Sequence, residues 1–127
     1  MIRPIVDLEL DCESCSTPGI PDDELVQKVQ TFLNAVEAAT GQQPIIYSYS
    51  SFYNTYLMSK LSKYDVWIAS YTTMKPEQIP IFPEESGSEN PAYVMWQFTD
   101  RQIINGWKEK SDASLIPSKF VDRVFIH

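Results

Sequence analysis

At 127 residues, 43% hydrophobic and 21% charged, the chain has the make-up of a single globular domain able to bury a core. A formal charge of −7 excludes the basic surface that nucleic-acid binding needs and argues against capture by an anionic surface. No apolar run is long enough to span a bilayer, and Met1-Ile2-Arg3-Pro4 leads straight into the first strand with no secretory signal visible.

That strand is Pro4-Ile5-Val6-Asp7-Leu8-Glu9-Leu10, in which apolar residues alternate with two acids. Side chains along a strand point to alternate faces, so Asp7 and Glu9 share one face and Val6, Leu8 and Leu10 the other. Two residues along a strand span roughly 6.5–7 Å, near enough for the carboxyls to sense each other. Repulsion and partial burial then raise the pKa of one acid, leaving a proton donor beside a carboxylate. Such a pair can hydrolyse an acetal such as a glycosidic bond. The alternative is an acidic pair on the wet face of an antiparallel strand.

Residues 11–20 read as a polar loop. It holds Cys12 and Cys15, either two ordinary thiols or a local disulfide; a zinc site lacks ligands, since His127 is the sole histidine. A helix is expected from Pro21, with Asp22, Asp23 and Glu24 at the positive end of its dipole and a stop at Gly41. Leu25, Val29, Phe32, Leu33 and Val36 give it one apolar face. A short strand follows at Pro44-Ile45-Ile46-Tyr47-Ser48. A second helix, capped by Ser50 or Ser51, is expected to run to about Leu61, and another strand covers Asp65 to Tyr71. Strand–helix–strand–helix–strand with short connections predicts a parallel sheet.

The second half is poor in helix signals. Residues 72–92 carry Pro76, Pro80, Pro83 and Pro91 and read as a loop. Tyr93-Val94-Met95-Trp96-Gln97-Phe98 is a further strand, Thr99 to Lys110 a turn-rich connection around Asn105-Gly106, and Asp112-Ala113-Ser114-Leu115 a last short strand before a tail with Phe120, Val121, Val124 and Phe125.

Five pieces in this order carry a resemblance: Val6-Asp7-Leu8-Glu9, Pro44-Ile45-Ile46-Tyr47, Val66-Trp67-Ile68-Ala69-Ser70-Tyr71, Met95-Trp96-Gln97-Phe98-Thr99, and Asn105-Gly106-Trp107 through Asp112-Ala113-Ser114. Together they resemble the C-terminal portion of a glycoside hydrolase family 25 lysozyme, an N-acetylmuramidase. The resemblance implies an α/β fold: a partial (β/α) barrel with mostly parallel strands and a helix-poor C-terminal half, in a single, truncated catalytic domain over residues 1–127. It implies cleavage of the β-1,4 bond between N-acetylmuramic acid and N-acetylglucosamine in bacterial cell walls, outside the cell or after phage release, without metal or cofactor. Glu9 is then the general acid and later the base, and Asp7 holds the substrate's 2-acetamido group, whose carbonyl oxygen attacks the anomeric carbon.

By the same mapping Tyr47, Trp67, Tyr71, Trp96, Gln97 and Asp112 contact the glycan. The tyrosines and tryptophans stand at or near strand C-termini, where an α/β barrel places its site. Trp67 and Trp96 read equally as core residues, and Asp112 equally as a turn cap, because Ser114 stands where the family more usually has Asn. The family's first three strands have no counterpart, so the Asp7–Glu9 strand becomes a sheet edge. Three outcomes follow: an open fragment of reduced or no activity, a homodimer pairing exposed edges, or completion by another polypeptide. The rival functions are a wall-binding or carbohydrate-binding module without catalysis, and an enzyme on another polysaccharide.

Overall fold

A computed structural model of the chain describes residues 1–10, 16–71 and 93–127. Its centre is a five-stranded sheet of spatial order β1-β2-β3-β4-β5, formed by Ile5–Asp7, Ile45–Tyr49, Val66–Ala69, Tyr93–Gln102 and Ser111–Leu115. The first three pairings are parallel and the last is antiparallel. The order follows the chain because each early crossover carries a helix that folds back over the same face. The mostly parallel sheet and sparse helices agree with the expected α/β architecture. The loop expected at 72–92 and both cysteines lie outside the described residues.

Helix α1 (Asp22–Thr40) begins after Pro21, with three acids in its first turn. It ends at Gly41, whose φ of 70° suits a residue lacking Cβ and whose N–H donates to Glu37 O at 2.8 Å. Val29 and Leu33 are buried, and Leu25, Val26 and Val36 pack beside them. Phe32, expected on that face, is 56% exposed. It precedes Leu33 by one residue, about 100° around the helix, which carries it past the edge of the apolar stripe.

The second helix is shorter and wider than its apolar spacing suggested. One α turn, α2 (Ser50–Phe52), passes into a π turn at Tyr53–Leu57 and stops before Leu61. The wider turn still buries Phe52, Tyr53, Leu57 and Leu61 against the sheet. Tyr53 Oη is there without a hydrogen-bond partner, and burial pushes its phenol pKa up. The tail, read only as an apolar segment, forms a 3-10 turn at Ser118–Phe120 and helix α3 (Val121–Val124).

Two clusters sandwich the sheet. Val6, Ile46, Val66 and Ile68 face the helices together with Val29, Leu33, Tyr53 and Leu57. Ile45, Val94 and Met95 face the other way, onto Phe120 and Val124, with Ile5, Trp67 and Ile116 alongside. The second cluster fills only the N-terminal part of its face and so becomes the floor of whatever lies above it. No described helix is long and apolar enough to cross a membrane.

Candidate active site

The geometry of the site starts from strand register. Asp7 pairs with Tyr47, Tyr47 with Trp67 and Ala69 with Gln97, so Asp7, Tyr47 and Trp67 form a row across three strands on the face opposite the helices. Tyr47 meets Trp67 edge-on, with ring centroids 4.8 Å apart at 66°. Regular strand structure stops at Asp7, but the chain stays tethered for another turn of the pleat. Leu8 N–H donates to Tyr47 O at 2.9 Å, and Ser48 Oγ donates to Leu8 O at 2.7 Å. That tether delivers Glu9 to the mouth of an open hollow of about 450 Å3, lined also by Tyr47, Tyr49, Ser50, Ala69, Ser70 and Tyr71.

Glu9 has its carboxyl pKa raised above 4.5, first by burial, then by a hydrogen bond with the Asp7 carboxyl, then by the Asp7 charge. The hydrogen bond favours the protonated form because only a carboxylic acid can donate to a carboxylate. While Glu9 holds its proton it can donate that hydrogen bond to Asp7.

Gln97, buried at the back, ties the tyrosines together. Tyr47 Oη donates to Gln97 Oε1 at 2.7 Å and Tyr71 Oη donates to the same oxygen at 3.2 Å. Burial pushes Tyr47 up to about 12, with further contributions from Tyr71, Glu9, Asp7 and Asp112. Tyr71 is also raised, by burial and then by Asp100, Asp112 and Glu9. Both phenols thus remain neutral at any pH near neutrality, presenting oxygen lone pairs rather than a second layer of negative charge. Trp67 lies on the floor, half-buried, and donates its indole N–H to Ser114 Oγ at 3.1 Å. It is core and site floor at once.

The structure thus brings together Asp7, Glu9, Tyr47, Trp67, Tyr71 and Gln97, with Asp112 close enough to shift both phenols. Trp96 is placed elsewhere. It pairs with Ile68, its ring packs against the helix-side cluster, and its indole N–H donates to Ser70 O at 2.8 Å. The odd–even alternation of the strand gives the reason: with Gln97 facing the hollow, Trp96 must face away.

Asp100 is the residue that sequence reasoning passed over. Gln97 pairs with Ser114 but Thr99 pairs with Ala113, two steps on β4 against one on β5. This bulge inserts one residue and reverses the alternation, and the Asp100 charge is among those that raise Tyr71. Among the other lining residues, Ser50 was read only as a possible helix cap and Ser70 only as part of a strand. A larger depression of about 860 Å3 lies on the outer side of α1 around Asp23, Gln27 and Phe32, away from the acid pair. Among the described residues no three His, Cys, Asp or Glu side chains are grouped to hold a metal ion.

Known proteins resemble the chain in sequence and in fold. The chain is 34% identical over 83 residues to the Escherichia coli (strain K12) protein YegX, a match covering 65% of this chain and 27% of YegX. The CTP1L endolysin structure shares 28% identity and a TM-score of 0.60, covering 94% of this chain and 36% of that one. The spore cortex lytic enzyme SleM of Clostridium perfringens superposes with a TM-score of 0.71 at 23% identity, covering 97% of this chain and 39% of SleM. The chain thus spans about a quarter to two-fifths of the length of these relatives. The sequence profile described as "Glycosyl hydrolases family 25" matches residues 2–107, most of the chain and every strand up to β4, and on that match the chain belongs to glycosyl hydrolases family 25.

Proposed function

We propose that the chain is a peptidoglycan hydrolase that cleaves the β-1,4 bond between N-acetylmuramic acid and N-acetylglucosamine, acting at the bacterial cell wall. The observation that carries this reading is the unequal acid pair: Glu9 is held toward its protonated form by burial and then by Asp7, at the mouth of a hollow walled by tyrosines. Glu9 donates its proton to the bridging oxygen as the bond to the anomeric carbon breaks. The acetamido carbonyl oxygen of the same sugar takes the vacated position and closes a five-membered ring. Asp7, as carboxylate, balances the positive charge that develops on the acetamido nitrogen. Glu9, now ionised, takes a proton from water, whose oxygen opens that ring at the anomeric carbon. No protein nucleophile is needed, and the anomeric configuration is retained after two displacements.

The test is the chemistry of the new chain ends. Purified peptidoglycan digested with the protein and reduced with borohydride is expected to yield muramitol. Glucosaminitol would assign the cut to the other glycosidic bond, and newly freed amino groups without new reducing ends would mean a peptidase.

The edge of β1 favours one further reading of the working state. Among the described residues no strand pairs with the far side of β1, the strand that carries Asp7. Exposed backbone donors and acceptors there are a template for strand addition, and a second copy paired along that edge would wall the hollow on its open side. Light scattering on the purified chain is expected to give twice the monomer mass; a monomer mass at micromolar concentration removes this arrangement.

A further inference from the structure

The hairpin between β4 and β5 carries a feature that the acid pair does not explain. The β3–β4 ladder ends at Ala69 and Gln97, yet β4 continues to Gln102. Its last five residues therefore run on with β5 alone, held by the pairings of Thr99 with Ala113 and Gln102 with Ser111. Because β4 is parallel to β1, β2 and β3, this ribbon rises from the C-terminal end of the sheet, where Glu9 and Tyr71 stand. At its foot are Asp100 and Asp112, both near Tyr71. At its tip, Gly106 with φ of 86° and the Trp107 N–H bonded to Ile104 O at 3.0 Å fix a turn. That turn presents Ile103, Ile104 and Trp107 to solvent, 73%, 49% and 64% exposed.

Three large apolar side chains at one exposed tip are costly to keep in water and in natural proteins mark contact surfaces. Trp107 supports none of the two core clusters, so packing does not account for it. Asp112 is five positions further on, so the Trp107 backbone lies within about 17 Å of the foot of the ribbon. A polymeric substrate seated over Glu9 must leave the hollow across its rim, and the ribbon is continuous with that rim through Gln97, which pairs with Ser114 of β5 and accepts the Tyr71 phenol at 3.2 Å.

We infer that Trp107 forms a distal subsite on which a sugar ring of the same glycan strand, several units from the scissile bond, stacks against the indole face. Ile103 and Ile104 flank it as an apolar shelf for the ring's C–H face, while the flanking Arg101, Lys108 and Lys110 can meet carboxyl groups of lactyl or peptide substituents. This inference rests on the hydrolase reading above but concerns length selection, which that reading leaves open.

The experiment measures binding of glycan strands of defined length, stripped of stem peptides, to protein carrying Glu9→Gln so that no strand is cut. Affinity is expected to rise between tetrasaccharides and strands of eight or more sugars. Adding Trp107→Ala should weaken the long strands by about three- to tenfold, the range of one aromatic stacking contact, and leave the tetrasaccharide unchanged. Trp107→Phe, which keeps a flat face, should recover most of the loss. Equal affinity of the Trp107→Ala protein and its parent for long strands overturns the inference, as does an equal loss at every length or a failure of either protein to bind glycan. The hydrolase reading is judged separately, by wall clearing with the Glu9-containing chain. Clearing that persists in Trp107→Ala with no length effect sinks the subsite and spares the enzyme.

Discussion

Glu9→Gln is expected to lower the initial rate of peptidoglycan hydrolysis by about 10²- to 10⁴-fold, the contribution of a positioned general acid. The amide keeps the shape and much of the hydrogen bonding but has no proton to give to the leaving oxygen. The pH dependence follows from the direction of the shift. With the Glu9 pKa above 4.5 in the folded protein, the acid form survives to higher pH, and the rate should fall as pH rises through that value. The same shift has a stability consequence of the corresponding sign. A raised folded pKa contributes stability below 4.5 and loses it as pH rises through the folded value, so above that value the ionised Glu9 is a small burden. Glu9→Gln should therefore melt no lower than the parent once pH exceeds the folded value, while its hydrolysis rate stays depressed. Glu9 remains open to solvent, so the gain in melting temperature is slight. A variant that clears walls at more than about a tenth of the parental rate takes the proton-donor role away from Glu9.

The acid pair was legible because it depends only on local geometry. Alternation along Pro4–Leu10 places Asp7 and Glu9 on one face wherever that strand lies, and the structure keeps that face opposite the helix-side core holding Val6. Helix α1 was equally clear, since its stop at Gly41 and its acidic first turn are nearest-neighbour effects. What the sequence could not carry were features set by partners far along the chain. The second helix closes as a π turn because the sheet surface, not the local sequence up to Leu61, decides how Tyr53 and Leu57 are buried. β4 outruns its expected end at Phe98 because β5 returns beside it in a hairpin, and polar Thr99-Asp100-Arg101 can sit in a solvent-facing ribbon without apolar signal.

The same distinction separates the site residues. Tyr47, Tyr71 and Gln97 were placed together by resemblance alone, and their convergence on one amide oxygen is a tertiary fact joining positions 50 and 26 residues apart. Trp96 was drawn in with them because a Trp near a strand end suits both a sugar platform and a core. One residue of register settles which, and the register is fixed by pairing with Ile68. Asp100 was missed for the complementary reason: a bulge, invisible in the pattern of apolar residues, reversed its facing.

Asp65→Ala is expected to cost about 3–5 kcal/mol of unfolding free energy, a large share of the roughly 5–15 kcal/mol typical of a domain. Asp65 is buried at the start of β3, at the N-terminal end of the sheet and so away from Glu9. Its two oxygens receive Arg3, at 2.6 Å, and Arg123. Arg3 also donates through Nε and Nη2 to Gln43 O, at 2.9 and 2.7 Å, and through Nη1 to Arg123 O at 2.6 Å. One carboxylate thus fastens the segment before β1, the start of β3 and helix α3, joining residues 62 and 58 positions apart. Removing it leaves the largely buried Arg3 guanidinium without its counter-charge, and that stranded charge, rather than the lost attraction, supplies most of the cost. Asp65→Asn, which keeps one acceptor oxygen, should lose less. Urea denaturation at pH 7 reads both effects as shifts in midpoint at constant slope. Because the network supports the closed end of the sheet and touches no residue of the hollow, folded Asp65→Asn should keep the parental pH profile of hydrolysis. A loss below about 1 kcal/mol in Asp65→Ala would show that the N- and C-terminal segments are held by the Ile5, Phe120 and Val124 packing alone.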